Sequence, residues 1–190
     1  MASRVSIIAD LKAHLARVAP MRPPPQAVAT GISNLDAHIG GWPQPGVALV
    51  YGPVGSGRFR PVLPTIQQTT TADHTIAVVD PIGWLHPPGL PGVNFQHLML
   101  VRCGSDQAGW ATSQLASSGA VSIVILLDPP PLSRDAARLR RATEEGQSTV
   151  IVLGDRIDPH LNPNVRLRCM GNNTIRIERG ATHQATVHIR

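Results

Sequence analysis

Apolar residues along this chain follow three rhythms in three successive regions. Near the start, Val5, Ile8, Leu11, Leu15 and Val18 recur at helical steps on one face, and Ser3 can cap the helix they predict. The stretch PMRPPPQ (20–26) then favours extended polyproline geometry. Residues 1–26 therefore read as a helical arm on a stiff strap, and 27–190 as the main domain. The arm's apolar face has two possible uses: folding back on its own domain, or docking on a neighbour.

The middle region carries near-continuous apolar runs: GVALVYG (46–52), TIAVVD (75–80), HLMLVR (97–102), VSIVILLD (121–128) and STVIVLGD (148–155). Such runs suit strands covered on both faces, as in a parallel sheet. Helical spacing separates several of them. Residues 107–119 stop at Gly119, and residues 132–146 take Ser133 as cap and Gly146 as stop. Strands alternating with helices predict an α/β doubly wound core. The third region changes period again. NVRLRCM (164–170), NTIRIER (173–179) and QATVHIR (184–190) alternate apolar and polar positions, with GNN and GATH between them. They read as antiparallel strands joined by tight turns. The predicted fold is a mostly parallel doubly wound sheet with a C-terminal antiparallel extension.

Composition narrows this picture. At 190 residues with 42% hydrophobic content, the chain suits one globular domain. Only 3% is aromatic, so Val, Ile, Leu and Ala must build the core. The formal net charge is +5, carried almost wholly by arginine, since Lys12 is the one lysine. That balance suits contact with nucleic acid or an acidic protein, and equally a biased codon usage. Arg138, Arg140 and Arg141 on one predicted helix, and Arg166, Arg168, Arg176 and Arg179 on the tail strands, form basic or merely solvated faces. Cys103 and Cys169 lie far apart without ligand spacing and read as buried thiols of a reducing compartment. The eight histidines make no ligand pair, so no metal site is expected. Trp110 reads as a packing residue; Trp42 and Trp84 lie in predicted loops and are either packed or exposed contacts. No leader and no long apolar run is evident, so a soluble, cytoplasmic protein without membrane contact is expected.

The chemistry concentrates in YGPVGSGRFR (51–60). Gly52 and Gly57 bracket four residues, as in the phosphate-binding pattern G-x-x-x-x-G-K-[ST]. The loop follows an apolar strand, and Gly52, Gly55 and Gly57 permit a close backbone wrap. Gly52, Gly55, Ser56, Gly57 and Arg58 are thus the candidate, degenerate nucleotide site. Arg58 replaces the lysine, and Phe59 replaces the hydroxyl that would hold Mg²⁺. Pro64 is expected to kink or shorten the helix behind the loop.

The order of motifs carries a resemblance. ATGISNLDAHIGGWPQPGVALVYGPVGSGR (29–58) resembles the approach to the Walker A loop in the RecA core. The stretch from AVVD (77–80) to the apolar run ending at Asp128, with SGAV (118–121) before it, resembles RecA's second strand through its Walker B strand. The likeness covers roughly residues 28–180 and implies a RecA-like fold. It places Asp128 in the Walker B position, where a turn-opening Asp before Pro129 is the other reading. It also shows departures. A catalytic Glu is expected two residues beyond Asp80, and Ile82 stands there; Asp155 stands where the family has a sensing Gln. The two DNA-binding loops of RecA correspond to the short stretches PPPLSRD and RIDPHLNPN, so the inherited DNA surface is expected to be missing.

Within this family the chain resembles the small ImuA/SulA-like members, and the GGWP approach and GSGR loop look more like ImuA. The resemblance implies a non-catalytic accessory protein of the DNA-damage (SOS) response and mutagenic translesion synthesis, acting through protein contacts. Its implied partners are an ImuB-like or polymerase component and RecA. The arm residues Val5, Ile8, Leu11 and Leu15 would serve partner binding or self-association. No cofactor is expected, although ATP with Mg²⁺ serves active members. The alternatives are a SulA-like inhibitor of FtsZ, or an atypical ATPase or DNA-binding protein.

Overall fold

The computed structural model describes residues 26–181 and 184–189. The predicted arm helix, with Val5, Ile8, Leu11 and Leu15, lies outside the described residues. The described chain opens with a short hairpin-like pair, β1 (Gln26–Val28) and β2 (Trp42–Gln44), on either side of α1 (Ser33–Ile39). The Asp36 carboxylate accepts from the Thr30 amide at 2.9 Å, and Gly40 at φ +73° ends α1.

The main strands follow: β3 (Gly46–Tyr51), β4 (Ile76–Val79), β5 (Leu98–Val101), β6 (Ile123–Leu127), β7 (Thr149–Gly154), β8 (Val165–Gly171), β9 (Thr174–Arg179) and β10 (Ala185–His188). They form one eight-stranded sheet in the order β10-β9-β8-β3-β7-β6-β4-β5. β3 to β7 pair in parallel, as the apolar runs predict. β8 also pairs in parallel with β3, while β9 runs antiparallel to both of its neighbours, β8 and β10. β8 is therefore a hinge between both halves of the sheet, a role that alternation alone did not reveal. Asn172 and Asn173, at φ +48° and +57°, make the β8–β9 turn.

Helices cover both faces. On one side the core joins β strands to α1 and to α2 (Leu63–Thr71) through Leu35, Val62 and Ile66. On the other it joins them to α3 (Ala108–Ser117) and α4 (Asp135–Gly146) through Ala111, Ala116, Ala136 and Leu139. α3 and α4 pack closely. A Cβ at Gly146 would fall 1.9 Å from the Ala116 carbonyl oxygen, so only glycine fits that crossing.

Several expectations are corrected here. Pro64 does not kink α2; it lies in the first turn, where its missing N–H has no helical partner to lose. Ser133, at φ +29°, does not cap α4, which begins at Asp135 with no side-chain cap bond. Gly146 is inside α4, and the left-handed stop is Gln147. Trp110 is 56% exposed on α3 and is no packing residue. Trp42 is fully buried and donates to Thr65 Oγ1 at 2.8 Å. Cys169 is buried, with its thiol pushed up to about 11 by burial, but Cys103 is only half-buried.

Candidate functional site: the cleft at the carboxyl end of the parallel strands

β3 delivers the loop after Tyr51 to the carboxyl end of the sheet, where β4, β6 and β7 also end. Open α/β sheets bind ligands at this edge. The loop keeps its frame. Ser56 N donates to the Pro53 carbonyl at 3.0 Å, and Gly55 and Gly57 adopt φ +84° and +80°. Gly52 is needed for space, since a Cβ there would meet the Cys169 carbonyl oxygen and Ser56 Oγ at 2.6 Å each. Ser56 Oγ is buried without a hydrogen-bond partner.

The structure brings Arg58 and Asp128 together. Arg58 Nη2 donates to Asp128 Oδ2 at 2.6 Å, and Nη1 donates to the Gly52 carbonyl at 3.2 Å. The two side chains are 13% and 22% exposed, so the pair is largely shielded from water. Burial pushes the Asp128 carboxyl above its ordinary range; Arg58 opposes this, while Asp155 and Asp80 add to it. A guanidinium thus lies against the carboxylate that a Walker B cation would need.

The neighbouring carboxylates are committed elsewhere. Asp80 is 1% exposed and accepts from the amides of Gly83, Trp84 and Leu85 at 2.8–3.1 Å. It anchors the 80–85 turn. Sequence reasoning treated it only as half of a catalytic pair, although the spacing D-P-I-G carries a turn signal. Asp155 is 61% exposed and lies 3.7 Å from Arg156 Nε. Phe59 offers no oxygen. These residues do not fit a Mg²⁺–triphosphate: the Walker B carboxylate is paired with Arg58, and the hydroxyl ligand is missing. Among the described residues, no group of three or more His, Cys, Asp or Glu is placed to hold a metal.

The rim of the cleft is mixed, with Ser105, Asp155 and Arg156 beside an exposed apolar cluster. Val54, Ile82 and Trp84 line it at 71%, 49% and 59% exposure, with Pro129 and Pro130 opposite. Residue type alone did not mark this cluster, because the three come from two separate loops. The loops after β6 and β7 are short and stitched together, with Leu132 N donating to Asp158 Oδ2 at 2.6 Å.

The order and direction of the strands invite comparison with solved structures. The crystal structure of the RadB recombinase superposes with a TM-score of 0.68 over 86% of this chain and 96% of that one, at 18% identity. The core is RecA-like. Sequence relatives agree with this RecA-like architecture. RecA of Frankia alni is 32% identical over 131 residues, which is 66% of this chain and 36% of that protein. RecA of Xylella fastidiosa strain M23 is 30% identical over 162 residues, 83% of this chain and 43% of that protein. The chain thus spans less than half the length of these curated relatives. No protein-family model matches it. Among the described residues, no helix of this RecA-like core is long and apolar enough to cross a membrane.

Proposed function

We propose that this chain is a non-catalytic, RecA-like accessory protein in DNA-damage tolerance, working in mutagenic translesion synthesis as ImuA-type proteins do. The observation that carries the reading is the Arg58–Asp128 pair, seated beside an exposed apolar cluster. The pair neutralises the groups that would handle phosphate and metal, while Val54, Ile82 and Trp84 form a surface suited to protein contact. A second feature supports adaptor work. β5 ends the sheet, and Met99 and Phe95 beside its edge are 44% and 49% exposed. An unpaired edge accepts an added strand or strap. The translesion assignment rests on the resemblance in motif order, and the partner is then an ImuB-like or polymerase component, or RecA.

The test is binding of the full chain to a purified Y-family-like partner. Trp84→Ala is expected to weaken it at least tenfold, about 1.4 kcal/mol. Deleting residues 1–26 is expected to change partner binding or oligomeric state. Unchanged behaviour of both variants overturns the reading. Selective capture of FtsZ would replace it with a division-inhibitor role.

A further inference from the structure

The helical layer over the sheet stops short. α3 and α4 cover one face of β4, β6, β7 and β3. On that same face no described residue outside the sheet forms a layer over β8, β9 and β10, while their opposite face enters the core through Leu167, Ile175, Ile177 and Val187. The open face presents Arg166, Arg168 and Met170 of β8, Arg176 and Glu178 of β9, and Thr186 of β10.

Its charges are unbalanced. The ladder sets Arg168 directly opposite Arg176; Arg166 faces Arg179 only across a register shift, and Arg179 donates to Asn162 Oδ1. Like charges in facing positions destabilise a sheet. Glu178 is the carboxylate on this face among the described residues, and both its oxygens accept from Tyr51 Oη at 2.9 Å, a neutral partner. Arg166 Nε is buried without an acceptor. Arg168 donates no hydrogen bond to any described residue, and Arg176 reaches only Gln184 Oε1. The face therefore carries three arginines against one carboxylate: Arg168 and Arg176 are exposed and face each other, Arg166 is half-buried, and Glu178 is held by Tyr51.

Its shape is specific too. Three strands about 4.8 Å apart leave a bare strip about 10–14 Å wide, the width of one helix. Met170, 51% exposed, gives the strip an apolar contact. We propose that this face is a berth for an acidic amphipathic helix of another protein, which would complete the layer beside α4. Its carboxylates would take bidentate bonds from Arg168 and Arg176, and its apolar stripe would rest on Met170 and the arginine stems. Single-stranded nucleic acid fits less well. The face exposes no aromatic ring for bases, since Tyr51 is 8% exposed.

The experiment measures anisotropy of a labelled synthetic helix of about 20 residues, with glutamates at i, i+4 spacing beside a leucine stripe. The full chain is expected to bind it, and a lysine-for-glutamate version is expected not to bind. Arg168→Glu combined with Arg176→Glu should weaken binding at least tenfold, roughly 1.4 kcal/mol. If that pair fails to fold, the single Arg176→Gln is expected to lose about threefold. Arg138→Glu, on α4, should leave affinity unchanged. Equal affinity of wild type and charge-reversed protein overturns the proposal. So does tighter binding of an oligonucleotide of equal charge that the same variants abolish, or their abolishing a homodimer instead.

Discussion

The interior of the parallel sheet and the rim at its carboxyl end obey different economies of contact. Inside, Ile76, Val78, Ile123, Ile125 and Ile151 are all fully buried on the α1/α2 side of the sheet, whose other side α3 and α4 cover. At the rim, one ion pair and one multiply bonded carboxylate set the local arrangement. Many redundant contacts hold the architecture, whereas a few polar atoms decide the chemistry. That is why a RecA-like frame persists here around residues that no longer fit phosphate and metal.

This contrast implies a gradient of stability effects. Ile125→Ala, at the centre of the sheet, should cost about 3–5 kcal/mol, read as a lower urea midpoint. Asp80→Ala removes the acceptor for the three amides of the 80–85 turn and should cost about 2–3 kcal/mol. A cost near zero would mean that water replaces the carboxylate and that the turn is not an organised part of the rim. Arg58→Gln should cost the least, about 1–2 kcal/mol, because Asp128 can rehydrate or take a proton. Were Arg58→Gln more damaging than Ile125→Ala, the comparison would be inverted.

The pH dependence sharpens the rim further. Burial raises the Asp128 carboxyl in the folded state, so the native protein holds this proton more tightly than the unfolded chain. Its contribution is most favourable below the ordinary carboxylate range and is lost as pH rises through the folded value. Arg58→Gln removes an opposing charge, so the folded value should climb and the loss should deepen. Asp128→Asn should abolish that part of the pH profile. Urea midpoints from about pH 4 to about pH 7 measure it.

Legibility from sequence follows the same division. Burial on both faces leaves a contiguous apolar run, so β3, β4, β6 and β7 were readable without their partners. The loop frame was readable because its glycines are local. The Arg58–Asp128 contact was not, because its partners lie 70 residues apart and no period links them. Trp42 hides its ring because Thr65, 23 residues away, accepts its N–H. Trp110 has helical spacing but points off the packed side of α3. Ser133 had the residue type of a cap but not the backbone geometry.

The central claim, a nucleotide cleft occupied by its own arginine, is tested most directly by thermal denaturation with saturating ATP and Mg²⁺. The account predicts an unchanged midpoint and no phosphate release. A ligand at a hundred times its Kd would add about 2.7 kcal/mol, a rise of roughly 5–10 °C for a chain of this size. Such a rise in the wild-type protein, accompanied by turnover and lost in Asp128→Asn, would contradict it.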